Sequence, residues 1–191
     1  MATSNLEAPV AVSRQVISLP IDDGLTCLRG LSPQRLRFEL EYALERGSTA
    51  NSFLFAAGTD CEGEHQTALL VHPPGKAYDK AFLTALAGLL PAQTSALRVV
   101  VGHVNPNRVA LLRDLAGLYP ELELIASNAG AKLLGELWSQ RKPAAPGQES
   151  EQPAIPELPP IQVIRQEQTL PLSQLHKLQL VPAPTPRWPG G

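Results

Sequence analysis

One stretch constrains this chain more than any other. LRVVVG, residues 97–102, runs without a break into the polar loop HVNPN and then into residues 108–118, where Val109, Leu112, Leu115 and Leu118 share a helical stripe. A continuous β-branched run predicts a strand buried on both faces. LELIAS, residues 122–127, predicts a second such strand, and Ser127 or Asn128 can cap a helix reaching about residue 140. Upstream, residues 78–90 place Phe82, Leu83, Leu86, Leu89 and Leu90 at helical spacing before Pro91. Strand and helix therefore alternate, which calls for an α/β sheet with helices covering its faces.

The first third reads differently. QVISLP, LTCLRG, RLRFELEYAL and the apolar runs at residues 51–56 and 67–71 are short, partly alternating and bounded by Pro, Gly or Asp. They predict an antiparallel meander, with GTDCEGEH as one of its turns. IQVIRQ and HKLQLVPAP are two late strand candidates. Between them and the last helix lies KPAAPGQESEQPAIPELPP, where prolines cluster and aliphatic periodicity stops. Residues 142–160 thus read as a flexible insertion inside one domain, and residues 1–14 as disordered.

Charge and cysteine usage exclude several functions. The formal net charge of -2 offers no electrostatic basis for binding a nucleic-acid backbone or an anionic membrane. No apolar run approaches the roughly 20 residues of a membrane span, and the N-terminus lacks a secretory core, so the cytoplasm is the expected compartment. Cys27 and Cys61 form no CxxC pair and read as ordinary free thiols. His65, His72 and His176 read as surface or edge residues, and Trp138 and Trp188 as packing residues.

In open sheets ligands bind at the carboxyl ends of strands, which directs attention to the loop after LRVVV. His103, Asn105, Asn107 and Arg108 fall within six residues there, at the start of a helix. A helix N-terminus favours an anion through its unpaired N–H groups. The plain structural account is that Asn105 or Asn107 caps the helix, Pro106 opens its first turn and Arg108 is a solvated charge.

From RFELEYALERGSTANSFLF through TALLV, the long stretch from LRVVVG to GEL, and LQLVPAPTPRWP, the chain resembles the flavodiiron family along residues 15–189. The likeness is strongest to the diflavin flavodiiron proteins of cyanobacteria. The resemblance implies a metallo-β-lactamase-like αββα sandwich, here incomplete, spanning residues 15–191. It also implies a di-iron centre held by H-x-E-P-D-H and by the histidine of P-A-P-x-x-H-W-P-D. This chain carries HVNPNR and PAPTPRWPG at those places. His103 is retained, whereas Asn105, Asn107, Arg108 and Arg187 stand where the family has Glu, Asp, His and His.

An amide oxygen is neutral, and a guanidinium has no lone pair and brings a positive charge to a cation's place. The expectation is therefore a degenerate iron site, with Arg108 and Arg187 lining a small anion pocket in its stead. The hydrolase pattern H-x-H-x-D-H is equally incomplete. The resemblance further implies FMN, NAD(P)H and oxygen reduction to water in the full family protein, a homo- or hetero-dimer with another flavodiiron subunit, and photoprotection in phototrophs. This chain alone is expected to bind no cofactor and to be inactive. A non-catalytic interaction module with the same fold is the alternative.

Overall fold

The computed structural model describes residues 14–33, 37–38, 42–43, 47–59, 65–140 and 154–183. Strands β1 (Gln15–Asp22), β2 (Leu25–Ser32), β5 (Ser48–Phe55) and β8 (Leu69–Val71) form the expected meander, antiparallel throughout. The RLRFELEYAL segment supplies two short strands, β3 (Arg37–Phe38) and β4 (Tyr42–Ala43), which pair with each other instead of joining that sheet. Likewise β6 (Gly58–Thr59) pairs with β7 (His65–Gln66) around the expected turn. Cys61 lies outside the described residues.

From β8 the chain winds in parallel. A 3-10 turn (Lys76–Tyr78) and α1 (Asp79–Ala87) lead to β9 (Ala96–Val100); α2 (Pro106–Leu118) leads to β10 (Glu121–Ser127); α3 (Asn128–Trp138) precedes β11 (Ile161–Ile164). The seven-stranded order is β1-β2-β5-β8-β9-β10-β11, with β8 to β11 mutually parallel. Helices were expected on both faces, but α1, α2 and α3 all pack on one. Each crossover steps to the next strand in the same direction, and right-handed crossovers with one direction of travel put every helix on one side.

The helix-side core joins Phe82, Leu86, Leu112, Leu115, Leu134 and Trp138 to sheet residues such as Leu28, Leu54, Leu70, Leu97 and Leu124. On the other face Leu69, Ile125 and Ile164 meet Leu170 and Leu172. That cover comes from the hairpin of β12 (Gln168–Pro171) and β13 (Lys177–Leu180), of which the sequence indicated the second strand alone. The expectation that β9 is buried on both faces needs correcting. Leu97 and Val99 are buried toward the helices, but Arg98 on the opposite face is part-buried. Its Nε donates to Glu123 Oε2 at 2.9 Å and its Nη2 to Gln162 Oε1 at 2.7 Å. A polar ladder thus crosses three parallel strands.

Residues 142–153 of the proline-rich segment lie outside the described residues. In its last seven residues, 154–160, Ile155 and Leu158 lie against the helix-side core, and Trp138 Nε1 donates to Pro156 O at 2.8 Å. Trp138→Phe removes this bond and part of the buried indole, so urea unfolding should show a loss of roughly 2 kcal/mol. Parental stability in that variant would mean that neither the bond nor the lost ring holds this segment.

The segment after β8 is anchored by its own contacts. Tyr78 lies over β2 where Gly30 leaves room, since a Cβ there would sit 2.8 Å from Tyr78 Cε1. The Tyr78 hydroxyl is 2.6 Å from Ser32 Oγ. Lys76 Nζ reaches Asp114 Oδ2 of α2 at 2.5 Å. These contacts fix where the chain goes after β8, and so where one wall of the candidate site stands.

Candidate functional site

β8 and β9 are adjacent and parallel, so their carboxyl ends bring two loops together: residues 72–75 after β8 and residues 101–105 after β9. The helix start follows the plain structural reading. Asn105 is the N-cap of α2, its Oδ1 accepting from Arg108 N at 2.9 Å, and Pro106 occupies the first turn. Asn107 is exposed on that turn and His103 is part-buried in the loop.

Arg108 is not the solvated charge of the plain reading. It is 8% exposed. Nε donates to Pro73 O at 2.6 Å and Nη1 to His103 O at 2.6 Å. Nη2 lies 3.1 Å from His72 Nε2. A guanidinium carries donors alone, so the His72 nitrogen facing it is the acceptor. Burial lowers the Arg108 pKa to about 10, which leaves the group charged at neutral pH. No carboxylate pairs with it among the described residues.

His72 is the residue that sequence reasoning missed. Its place before two prolines suggests an edge histidine, yet its ring faces Arg108 and its φ is 58°. Among the described residues it is the one non-glycine with positive φ. Three bonds hold it there: its N–H donates to Val100 O at 2.9 Å, Ser52 Oγ donates to its carbonyl at 2.8 Å, and its ring meets Arg108. Ser52 is fully buried. Such strain persists where the surroundings over-determine it. Burial, then the Arg108 charge, then His103 push the His72 pKa down to about 4. The His103 pKa is lowered as well, by burial and by Arg108.

Arg187, together with Trp188 and the rest of residues 184–191, lies outside the described residues. Among the described residues no three His, Cys, Asp or Glu side chains converge as a metal-binding group. At this corner the cation in place is the Arg108 guanidinium, and the His72 lone pair is directed at it. Beside the loop, Val100, Gly102, Ser127, Ile164 and Pro182 line a small cleft of about 100 Å³ at the carboxyl ends of β9 to β11. A larger cleft, of about 360 Å³, lies at the Phe55 end of β5. His176 lines it, 3.6 Å from Asp22 and edge-on to Phe55, so it is a packed residue of the turn before β13.

This fold and this chain can be placed among known proteins. No family model matches. Diflavin flavoprotein A 6 of Nostoc sp. is 39% identical over 176 residues, which is 92% of this chain and 26% of that protein. A metal-soaked flavodiiron core from Synechocystis sp. PCC6803 superposes with a TM-score of 0.73 at 33% identity, over 94% of this chain and 39% of that one. The chain belongs to the flavodiiron family. It spans about a quarter of the length of the curated relatives it matches. Its mixed sheet with helices on one face is the metallo-β-lactamase-like fold of flavodiiron cores. The rubredoxin oxygen:oxidoreductase of Desulfovibrio gigas, with a TM-score of 0.60 at 16% identity over 82% of this chain and 33% of that one, shares that fold. No described helix is long and apolar enough to cross a membrane.

Proposed function

We propose that this chain is part of a flavodiiron-type subunit of an FMN-linked, oxygen-reducing electron-transfer system, and that its own iron site does not assemble. The observation carrying this reading is the inward guanidinium of Arg108, bonded to Pro73 O, His103 O and His72. A cation fixed there repels a metal ion and occupies the imidazole lone pair nearest to it. Asn105 is committed to its cap, leaving one amide oxygen with an N–H already on it. In this reading residues 15–191 form part of the metallo-β-lactamase-like domain, residues 142–160 are an insertion in it, and flavin and nicotinamide are bound elsewhere in the system. The subunit then matters as the homo- or hetero-dimeric partner of another flavodiiron subunit in the cytoplasm, with photoprotection as the physiological setting.

A non-catalytic interaction module is the second reading, and one observation favours it. Ile17 and Phe53 are exposed on the sheet face away from the helices. Exposed apolar side chains on one sheet face suit a protein partner.

Elemental analysis after anaerobic loading with ferrous iron tests the first reading. The purified chain should retain no stoichiometric iron. A variant carrying Asn105→Glu, Asn107→Asp, Arg108→His and Arg187→His should gain it, because carboxylates and imidazoles then replace amides and guanidinium. Stoichiometric iron in the parent would sink the proposal.

A further inference from the structure

We propose that the buried guanidinium of Arg108 is the cross-link that fixes the loop after β8 to the loop after β9, so that an internal organic cation organises this corner of the fold without any bound metal. This deepens the reading that the site takes no iron pair. The geometry is specific. Three different nitrogens of one planar group reach three acceptors on two loops: Pro73 O and His72 Nε2 on one side, His103 O on the other. A fixed fork suits such divergent acceptors better than an ammonium, which is a compact point charge on a flexible stem.

Sequence position explains how the side chain reaches them. Arg108 is the third residue of α2 and its own N–H is tied to the Asn105 cap, so the helix start is held while the guanidinium extends across the strand ends. Both loops lack strand pairing at these carbonyls. A buried carbonyl without a donor is costly, so the guanidinium satisfies two groups that would otherwise have to find water. It also secures His72, whose positive φ requires support from outside its own segment. Pro73 and Pro74, which follow, have no N–H and cannot close the loop by themselves. Lys76, Tyr78 and Ser52 hold the flanks of the same loop, but none of them bonds to the loop after β9.

Thermal unfolding of the full chain tests the cross-link, with Arg108→Ala, Arg108→Met and Arg108→Lys compared in the presence of a chelator. The parent's Tm should not respond to the chelator. The Ala and Met variants should each unfold lower by roughly 10 °C, since several buried bonds are lost in a domain of this size. Lys should recover a minor part. Methylguanidinium should raise the Tm of Arg108→Ala saturably, and leave Arg108→Met, whose side chain fills the space, unchanged. That rescue marks a donor role and not mere space-filling.

A Met variant as stable as the parent would overturn the cross-link, and so would a parent Tm that falls in chelator. Should the Ala variant not fold at all, its refolding by methylguanidinium and the Met and Lys comparison carry the same test. Metal analysis of the same samples separates the two proposals. Iron in a parent that still needs Arg108 removes the functional reading and leaves the cross-link. An iron-free parent indifferent to Arg108→Met does the reverse.

Discussion

Leu112→Ala is expected to lower the stability of the chain by roughly 3 kcal/mol and its Tm by about 10 °C. Leu112 is fully buried in the middle of α2, one turn beyond Arg108, and packs into the core shared by all three helices. Truncation removes its transfer free energy and leaves a cavity that a close-packed sheet–helix layer cannot collapse into. Residues four apart lie on one helix face, so the same change loosens the turn that carries Arg108. Leu118 provides the comparison: it ends the same helix and is 56% exposed, so Leu118→Ala should change stability by less than about 0.5 kcal/mol. Urea unfolding of the two variants decides the matter. Equal effects would mean that α2 is not held by its sheet-facing stripe, and the placing of the site by that helix would have to be abandoned.

The fold was most legible where local and tertiary signals agree. LRVVV, the N-cap Asn105, Pro106 in the first turn, and the stripe from Val109 to Leu115 indicate strand, loop and helix close to their observed bounds. Ser127 capped the next helix as expected, its Oγ accepting from Gly130 N at 3.1 Å. Facing was less legible. The run of valines concealed that Arg98 divides the two sides of β9, because periodicity counts apolar residues and not the Glu123 and Gln162 waiting on neighbouring strands. β12 was missed for a local reason: QTLP is four residues long and ends in proline, too little for a period-two pattern to show.

At the site, the positions were readable and the directions were not. HVNPNR alone does not say whether Arg108 points to solvent or inward, since two of its three acceptors, Pro73 O and His72 Nε2, are 35 and 36 residues away. For His72 the local signal pointed the wrong way. A residue before proline is pushed toward extended backbone, yet His72 has a φ of 58°. Ser52, Val100 and Arg108 override that preference, and none of them is a sequence neighbour. Two prolines after a histidine signal the end of a strand; here they also mark a loop that borrows its support from elsewhere.

Acidification from about pH 6.5 to about pH 4 should then destabilise the chain through His72. Its folded pKa is about 4 and its unfolded value is the ordinary 6.5, so between these the unfolded chain binds the extra proton. Stability linked to His72 is therefore fully present above the unfolded value and is lost as pH falls through the folded one. His103, also lowered, acts in the same direction. Protonation would set an imidazolium against the Arg108 guanidinium and remove the acceptor of Nη2. The His72 ring is partly open to water, so the full shift is discounted and the loss is set at roughly 2 kcal/mol over the whole window. Carboxylates titrate in the lower part of this range, so the diagnostic quantity is a difference in slope. His72→Gln keeps a hydrogen-bond acceptor that does not titrate; whatever constant offset it suffers from the positive φ cancels when stabilities are compared across pH. Chemical denaturation at several pH values should give the parent a steeper loss below pH 6.5 than the Gln variant. Parallel slopes would mean that the His72–Arg108 contact does not couple to folding, and the strain at His72 would then need another cause.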